Sequence, residues 1–169
     1  MLIQCGITME GNKQLEWCFR LKDGLKVIEP NERLAKSYLE KAKSSLDRAE
    51  KNFKDKDLLW ATVVFYYAEY YALYSFLQKI GIKCENHSCS ILAISVILGQ
   101  DKTAIINQHK DKRIDAQYYI KIGKEQEVAK MLQEAKIFVS MFDDIVSNLS
   151  QEEINAYRSK FEALYDKKK

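Results

Sequence analysis

The stretch that decides the fold runs from residue 58 to residue 81 and reads LLWATVVFYYAEYYALYSFLQKIG. It is long enough to cross a bilayer as a helix, for which about 20 apolar residues suffice. Its content argues against that. Tyr66, Tyr67, Tyr70, Tyr71 and Tyr74 fill its middle and second half, and Glu69 stands among them. Tyrosine belongs at membrane interfaces, and a carboxylate in mid-span costs several kcal/mol. The segment is apolar or aromatic almost all round, so other helices are expected to contact it on most sides, at the centre of a bundle or at a dimer seam. Asp57 is placed to cap its start, and Gly81 to end it in a left-handed conformation.

Towards the N-terminus, the charged turn Lys54, Asp55, Lys56 follows a helix expected over residues 31–53. In it Leu34, Tyr38, Ala42, Leu46, Ala49 and Phe53 recur every three or four residues as one apolar stripe. Before it come Pro30, a connector over residues 25–29, and a short helix over residues 12–21 with Leu15, Phe19 and Cys18 inward and Gly24 past its end. Towards the C-terminus, the pattern predicts a helix over 88–98 closed by Gly99. A short helix capped by Asp101 then ends near Asp111, and residues 113–123 read as a helical turn or an irregular loop. A long helix over 124–149 carries Val128, Leu132, Ala135, Val139, Phe142, Ile145 and Leu149. Ser150 and Glu153 form a capping box for a last helix with Ile154, Tyr157, Phe161 and Leu164, followed by the basic tail Lys167, Lys168, Lys169. One proline and six glycines permit long helices, and no alternating run of β-branched residues argues for strands. The expectation is all-α: a single antiparallel helical bundle of about five to seven helices over residues 1–169.

Composition bounds the partners. Of 169 residues, 47% are hydrophobic and 30% charged, as in an ordinary globular domain. The formal net charge of +3 is too small to imply nucleic acid by itself. Cys5, Cys18, Cys84 and Cys89 form no CxxC pair. Residues 1–8 carry no charged n-region and no long apolar core, so no leader and no membrane contact are expected. Free thiols in a reducing cytoplasm follow from that. Cys84, His87 and Cys89 make a C-x2-H-x-C cluster, but zinc wants four ligands and no fourth is apparent. Neither a metal nor a cofactor is expected.

Four segments carry a resemblance. The run from Trp60 to Tyr74 resembles the aromatic and small-residue helix of HEPN proteins. Lys79, Ile80, Gly81, Ile82, Lys83 and then His87, Ser88, Cys89, Ser90, Ile91 are similar to the family's "KGI…HSG.I" stretch. Arg113 to Tyr119 resembles its "R..aDY" segment, and Glu127 to Phe138 its closing helix. In order, these cover residues 34–146, leaving the first and last helices as additions. The resemblance implies a helical bundle, usually a homodimer. It also implies a frequent pairing with a minimal nucleotidyltransferase in toxin–antitoxin modules and, in some members, metal-independent ribonuclease activity. Those ribonucleases place a His after an Arg, the Arg holding the scissile phosphate and the His moving protons. Here Arg113 is followed at the corresponding positions by Tyr118, Tyr119 and Ile120, and no His occurs after it. A phenol titrates near pH 10 and is a poor base at neutrality. The standard dyad is absent, and the reading leans away from an enzyme.

Each candidate residue has two readings. Arg113 holds a phosphate, or pairs with Asp115 or a bundle carboxylate. Tyr118 and Tyr119 stack on a base, or plug the end of the bundle. Lys110 and Lys112, with Lys121 and Lys124, form a phosphate-binding rim, or a solvated face diluted by Asp111, Asp115 and Glu125. His87 caps its helix or bonds across an interface, unless it folds near Arg113 and replaces the missing His. His109, four residues before Arg113, is expected to be exposed. Glu69 is a buried carboxylate that needs a partner, for which Arg113 or a lysine is expected. Tyr67, Tyr71 and Tyr74 are core or interface. The expected function is binding of a nucleotide or RNA, or docking of a nucleotidyltransferase, without standard ribonuclease activity. The alternatives are a ribonuclease around Arg113 using His87 or His109, and a structural homodimer without a ligand.

Overall fold

The computed structural model describes residues 9–166, and Cys5, the tail Lys167 to Lys169 and the side chain of Leu164 lie outside the described residues. Among them it holds seven helices: α1 (Met9–Arg20), α2 (Glu32–Lys54), α3 (Leu58–Lys79), α4 (His87–Leu98), α5 (Ala104–Tyr119), α6 (Glu125–Asn148) and α7 (Gln151–Asp166). The all-α expectation holds. The capping residues do what their chemistry predicts: Asp57 accepts from the Trp60 amide at 3.1 Å, and Asn31 from Leu34 at 2.9 Å. Ser150 and Glu153 bond reciprocally, closing the capping box of α7. Gly81 ends α3 with φ +76°, a conformation that L side chains avoid.

Helix α3 is the axis of the bundle. Helices α2, α4, α5 and α6 all pack on it, and Phe65, Tyr66, Ala68, Leu73, Phe76 and Leu77 are fully enclosed. That is why it lacks a polar face. No described helix is long and apolar enough to cross a membrane.

The structure departs from the sequence reading in several places. The buried face of α2 is Ala35, Leu39, Ala42, Ser45 and Ala49; of the expected stripe Ala42 and Ala49 lie on it, Tyr38, Leu46 and Phe53 pack at its edge, and Leu34 is exposed. Small residues there let α2 approach α3 closely, which a search for large apolar residues overlooks. Residues 26–27 and 82–83 pair as a minimal antiparallel ribbon, Lys26 opposite Lys83 and Val27 opposite Ile82. It clips the connector before Pro30 onto the end of α3, and Arg158 of α7 secures it by donating to the carbonyls of Ile28 and Gly81.

Helix α5 continues to Tyr119, so Arg113 is helical and not in a loop. Its only buried positions are Ile106, His109 and Ala116, which leaves no apolar stripe to read, and it stops on Ile120 in the left-handed region. A β-branched residue is the last that capping rules would select there.

Finally, Cys18 and Cys89 form a disulfide between α1 and α4, their Cα atoms 5.6 Å apart. This corrects the expectation of free thiols for that pair. Only Cys84 is a free thiol among the described residues, and it is buried. The pairing depends on how α1 docks on α4, and cysteine spacing carries no trace of that.

Candidate anion site between three helices

Three helices bring their side chains to one place. Helix α3 supplies Tyr66, Tyr67 and Tyr70, the first turn of α4 supplies His87 and Ser88, and α5 supplies Lys110, Arg113 and Gln117. The α5 residues lie three and four apart, so they share one face of that helix.

The Arg113 guanidinium lies over the Tyr66 ring, 4.9 Å from its centroid, and 5.7 Å from that of Tyr67. A cation over an aromatic face is worth roughly 0.5–2 kcal/mol. It donates a hydrogen bond to Gln117 Oε1 at 3.3 Å. Among the described residues no carboxylate pairs with it, and its buried Nε has no acceptor. The expected pairing with Asp115 or a bundle carboxylate does not form.

His87 folds beside Arg113. Its ring stacks on Tyr70, with centroids 3.7 Å apart and planes 12° from parallel, and its Nδ1 lies 2.8 Å from the Tyr66 hydroxyl. It does not cap α4, because Asn86 takes the Cys89 amide. Burial, then the positive charges of Arg113 and Lys110, hold its pKa down to about 4. Burial also pushes the Tyr66 phenol up to about 12. At neutral pH both partners of that hydrogen bond are therefore uncharged.

His109 corrects two expectations together. It is 2% exposed, not a surface residue, and it is the partner of Glu69, which is fully buried. Nδ1 lies 2.7 Å from Glu69 Oε1, and Nε2 lies 3.2 Å from Glu134 Oε2 on α6. A ring flanked by acceptors on both nitrogens is satisfied as the imidazolium. Burial opposes that charge, but the bonds and charges of the two carboxylates outweigh it and raise the pKa. Burial raises Glu69 to about 7 against the pull of His109. The pair thus retains its proton more firmly than either group would in water. This relay ties α5 to α3 and α6, one turn before Arg113, and so sets where Arg113 lies.

The remaining candidates divide. Lys110 donates to Ser88 Oγ at 3.2 Å, makes no ion pair among the described residues, and belongs to the site. Lys112 faces α6 and is matched by Glu127 at 2.5 Å, so it does not. Tyr118 and Tyr119 are each 65% exposed and plug nothing. At 100° per residue they sit about 140° and 120° round α5 from Arg113, so they do not share its face. Lys121 lies over Tyr119, away from the cluster, and Lys124 is exposed before α6. Tyr67 is half-buried and edge-on to His87, while Tyr71 packs by Tyr38. Cys89 is committed to the disulfide, so the C-x2-H-x-C set cannot assemble, and no other metal-ligating group occurs among the described residues. Tyr66, Tyr70, Ser88 and Gln117 were not singled out from sequence. The signal available was spacing: 66 and 70, like 113 and 117, are four apart.

A family model described as HEPN domain matches residues 35–145. That span runs from the start of α2 through most of α6 and holds every residue of the cluster, while α1 and α7 lie outside it. No curated protein and no solved structure matches the chain significantly.

Proposed function

The chain belongs to the HEPN family, and from that premise we propose that it binds the phosphate of a nucleotide or RNA at the Tyr66, His87 and Arg113 cluster without cutting it. The observation that carries this is Arg113. It is a half-buried guanidinium laid over two tyrosines, with no carboxylate partner among the described residues and Lys110 one turn away. Such a cation gains most from an anion that takes two parallel N–H bonds, which a phosphate does.

The ribonuclease alternative has one observation in its favour, the approach of His87 to Arg113. Its chemistry weighs against it. A general acid or base works best with a pKa near the working pH. His87 sits about three units below neutrality, and His109 is enclosed by two carboxylates. For partners, by analogy with the family, the proposal takes a homodimer and a nucleotidyltransferase, as in toxin–antitoxin pairs.

The test is a single-stranded RNA incubated without metal, with wild type beside Arg113→Ala. The expected result is retention without cleavage, and roughly 10- to 100-fold weaker retention by the variant, as for loss of a hydrogen bond to a charged group. The salt dependence should also be shallower in the variant. Cleavage by wild type that Arg113→Ala abolishes would establish the ribonuclease instead. Equal retention by both proteins would remove Arg113 from the reading.

A further inference from the structure

Helix α1 lies outside the family-matched span, yet it closes a groove of about 420 Å³ against α4, with Lys13, Trp17, Ser88, Leu92 and the Cys18–Cys89 disulfide among its walls. That is the size of a ligand pocket. Trp17 is 57% exposed in it. Among the described residues no acidic side chain lines it, and Lys13 makes no ion pair.

The groove adjoins the cluster through Ser88, which lines it and whose hydroxyl accepts from Lys110. The disulfide fixes this geometry. Trp17 is the residue before Cys18, and Ser88 the residue before Cys89, so one covalent link clamps an aromatic face beside the cationic site. The arrangement is an indole face with Lys13 on the same helix and Lys110 reached through Ser88, and with no carboxylate among the described residues that line it. It matches a base flanked by phosphates, and base–aromatic stacking is tolerant of sequence.

We infer that the Trp17 groove is a stacking subsite for an unpaired nucleobase whose neighbouring phosphate is held by Lys110 and Arg113. This rests on the phosphate-binding reading above. Lys13 faces the next phosphate along the strand. The disulfide pre-organises the subsite, so reduction weakens binding of the base and leaves binding of the phosphate.

Two probes separate the contributions: a ten-nucleotide oligoadenylate and an abasic ribose–phosphate oligomer of the same length. Trp60→Phe leaves Trp17 as the sole tryptophan, because the chain has two. In that background oligoadenylate is expected to quench Trp17 fluorescence, and the abasic oligomer is not. By anisotropy, Trp17→Ala should weaken oligoadenylate binding roughly 5- to 150-fold, the range for loss of one base–aromatic stack. Abasic binding should be unchanged, which also shows that the variant is folded, and Trp17→Phe should recover much of the loss. If Trp17→Ala changes neither affinity, the subsite is overturned and the phosphate site stands. If neither probe binds wild type, or if Arg113→Ala leaves abasic binding intact, the phosphate reading fails and the subsite falls with it.

Discussion

Removing His109 tests the buried relay most sharply. In His109→Leu, Glu69 stays fully enclosed with no cationic partner, and the least costly response is to take a proton. Its ordinary value is 4.5. Holding it neutral at pH 7 therefore costs about 3 kcal/mol, at about 1.4 kcal/mol per unit. That is a large share of the 5–15 kcal/mol typical of a domain. Replacing both members by apolar groups of similar volume removes the charge and the need for a partner. Glu69→Met with His109→Leu is accordingly expected within about 1 kcal/mol of wild type. The pH dependence gives a second readout. Glu69 and His109 both have raised pKa values in the folded state. Their stabilisation is complete below the unfolded values and is lost as pH rises through the folded ones. His87 runs oppositely: its value is depressed from 6.5 to about 4, so its contribution is present above 6.5 and lost as pH falls. The two oppose each other in mild acid. From pH 6.5 to about 8.5, before thiols titrate, the relay dominates, and wild type should lose stability as pH rises. The double variant should be flat. Urea denaturation at pH 6.5, 7.5 and 8.5, followed by far-UV circular dichroism, measures all of this. If the double variant is as weak as His109→Leu alone, the loss is one of packing and the charge argument is refuted.

Two further predictions concern the frame around the site. The Cys18–Cys89 link closes a loop of 71 residues, so in the chain-entropy account reduction, or the Cys18→Ser, Cys89→Ser pair, should lower stability by about 4 kcal/mol. An unchanged urea midpoint in reductant would mean that the thiols are not bonded in solution. Gly81→Ala should cost at least about 2 kcal/mol in thermal or urea melts. Its φ is +76°, and a Cβ there would lie 2.5 Å from the Ile28 carbonyl oxygen. A variant as stable as wild type would show that the ribbon between residues 26–27 and 82–83 gives way.

Sequence by itself determined the helices whose evidence is local. Asp57, Gly81 and the Ser150, Glu153 box mark boundaries because a cap is satisfied within four residues. The enclosed character of α3 was legible because a helix without a polar face has nowhere else to go. The four family segments, in order, cover residues 34–146, and the HEPN family model matches residues 35–145. Arg113 was legible as a residue, but its surroundings were not. That Tyr66, Tyr70 and His87 meet it, that Lys112 turns to Glu127, and that Tyr118 and Tyr119 point elsewhere are matters of helix rotation and crossing. These depend on contacts between residues up to 47 positions apart, as Tyr66 is from Arg113. His109 looked exposed because its neighbours Lys110, Asp111 and Lys112 are polar. Only the arrival of Glu69 from α3 and Glu134 from α6 makes burial of an imidazolium affordable. The Cys18–Cys89 bond has the same origin. A cap is decided within one turn of the chain, whereas an ion pair in the core or a bridge between helices exists only when separate elements have docked.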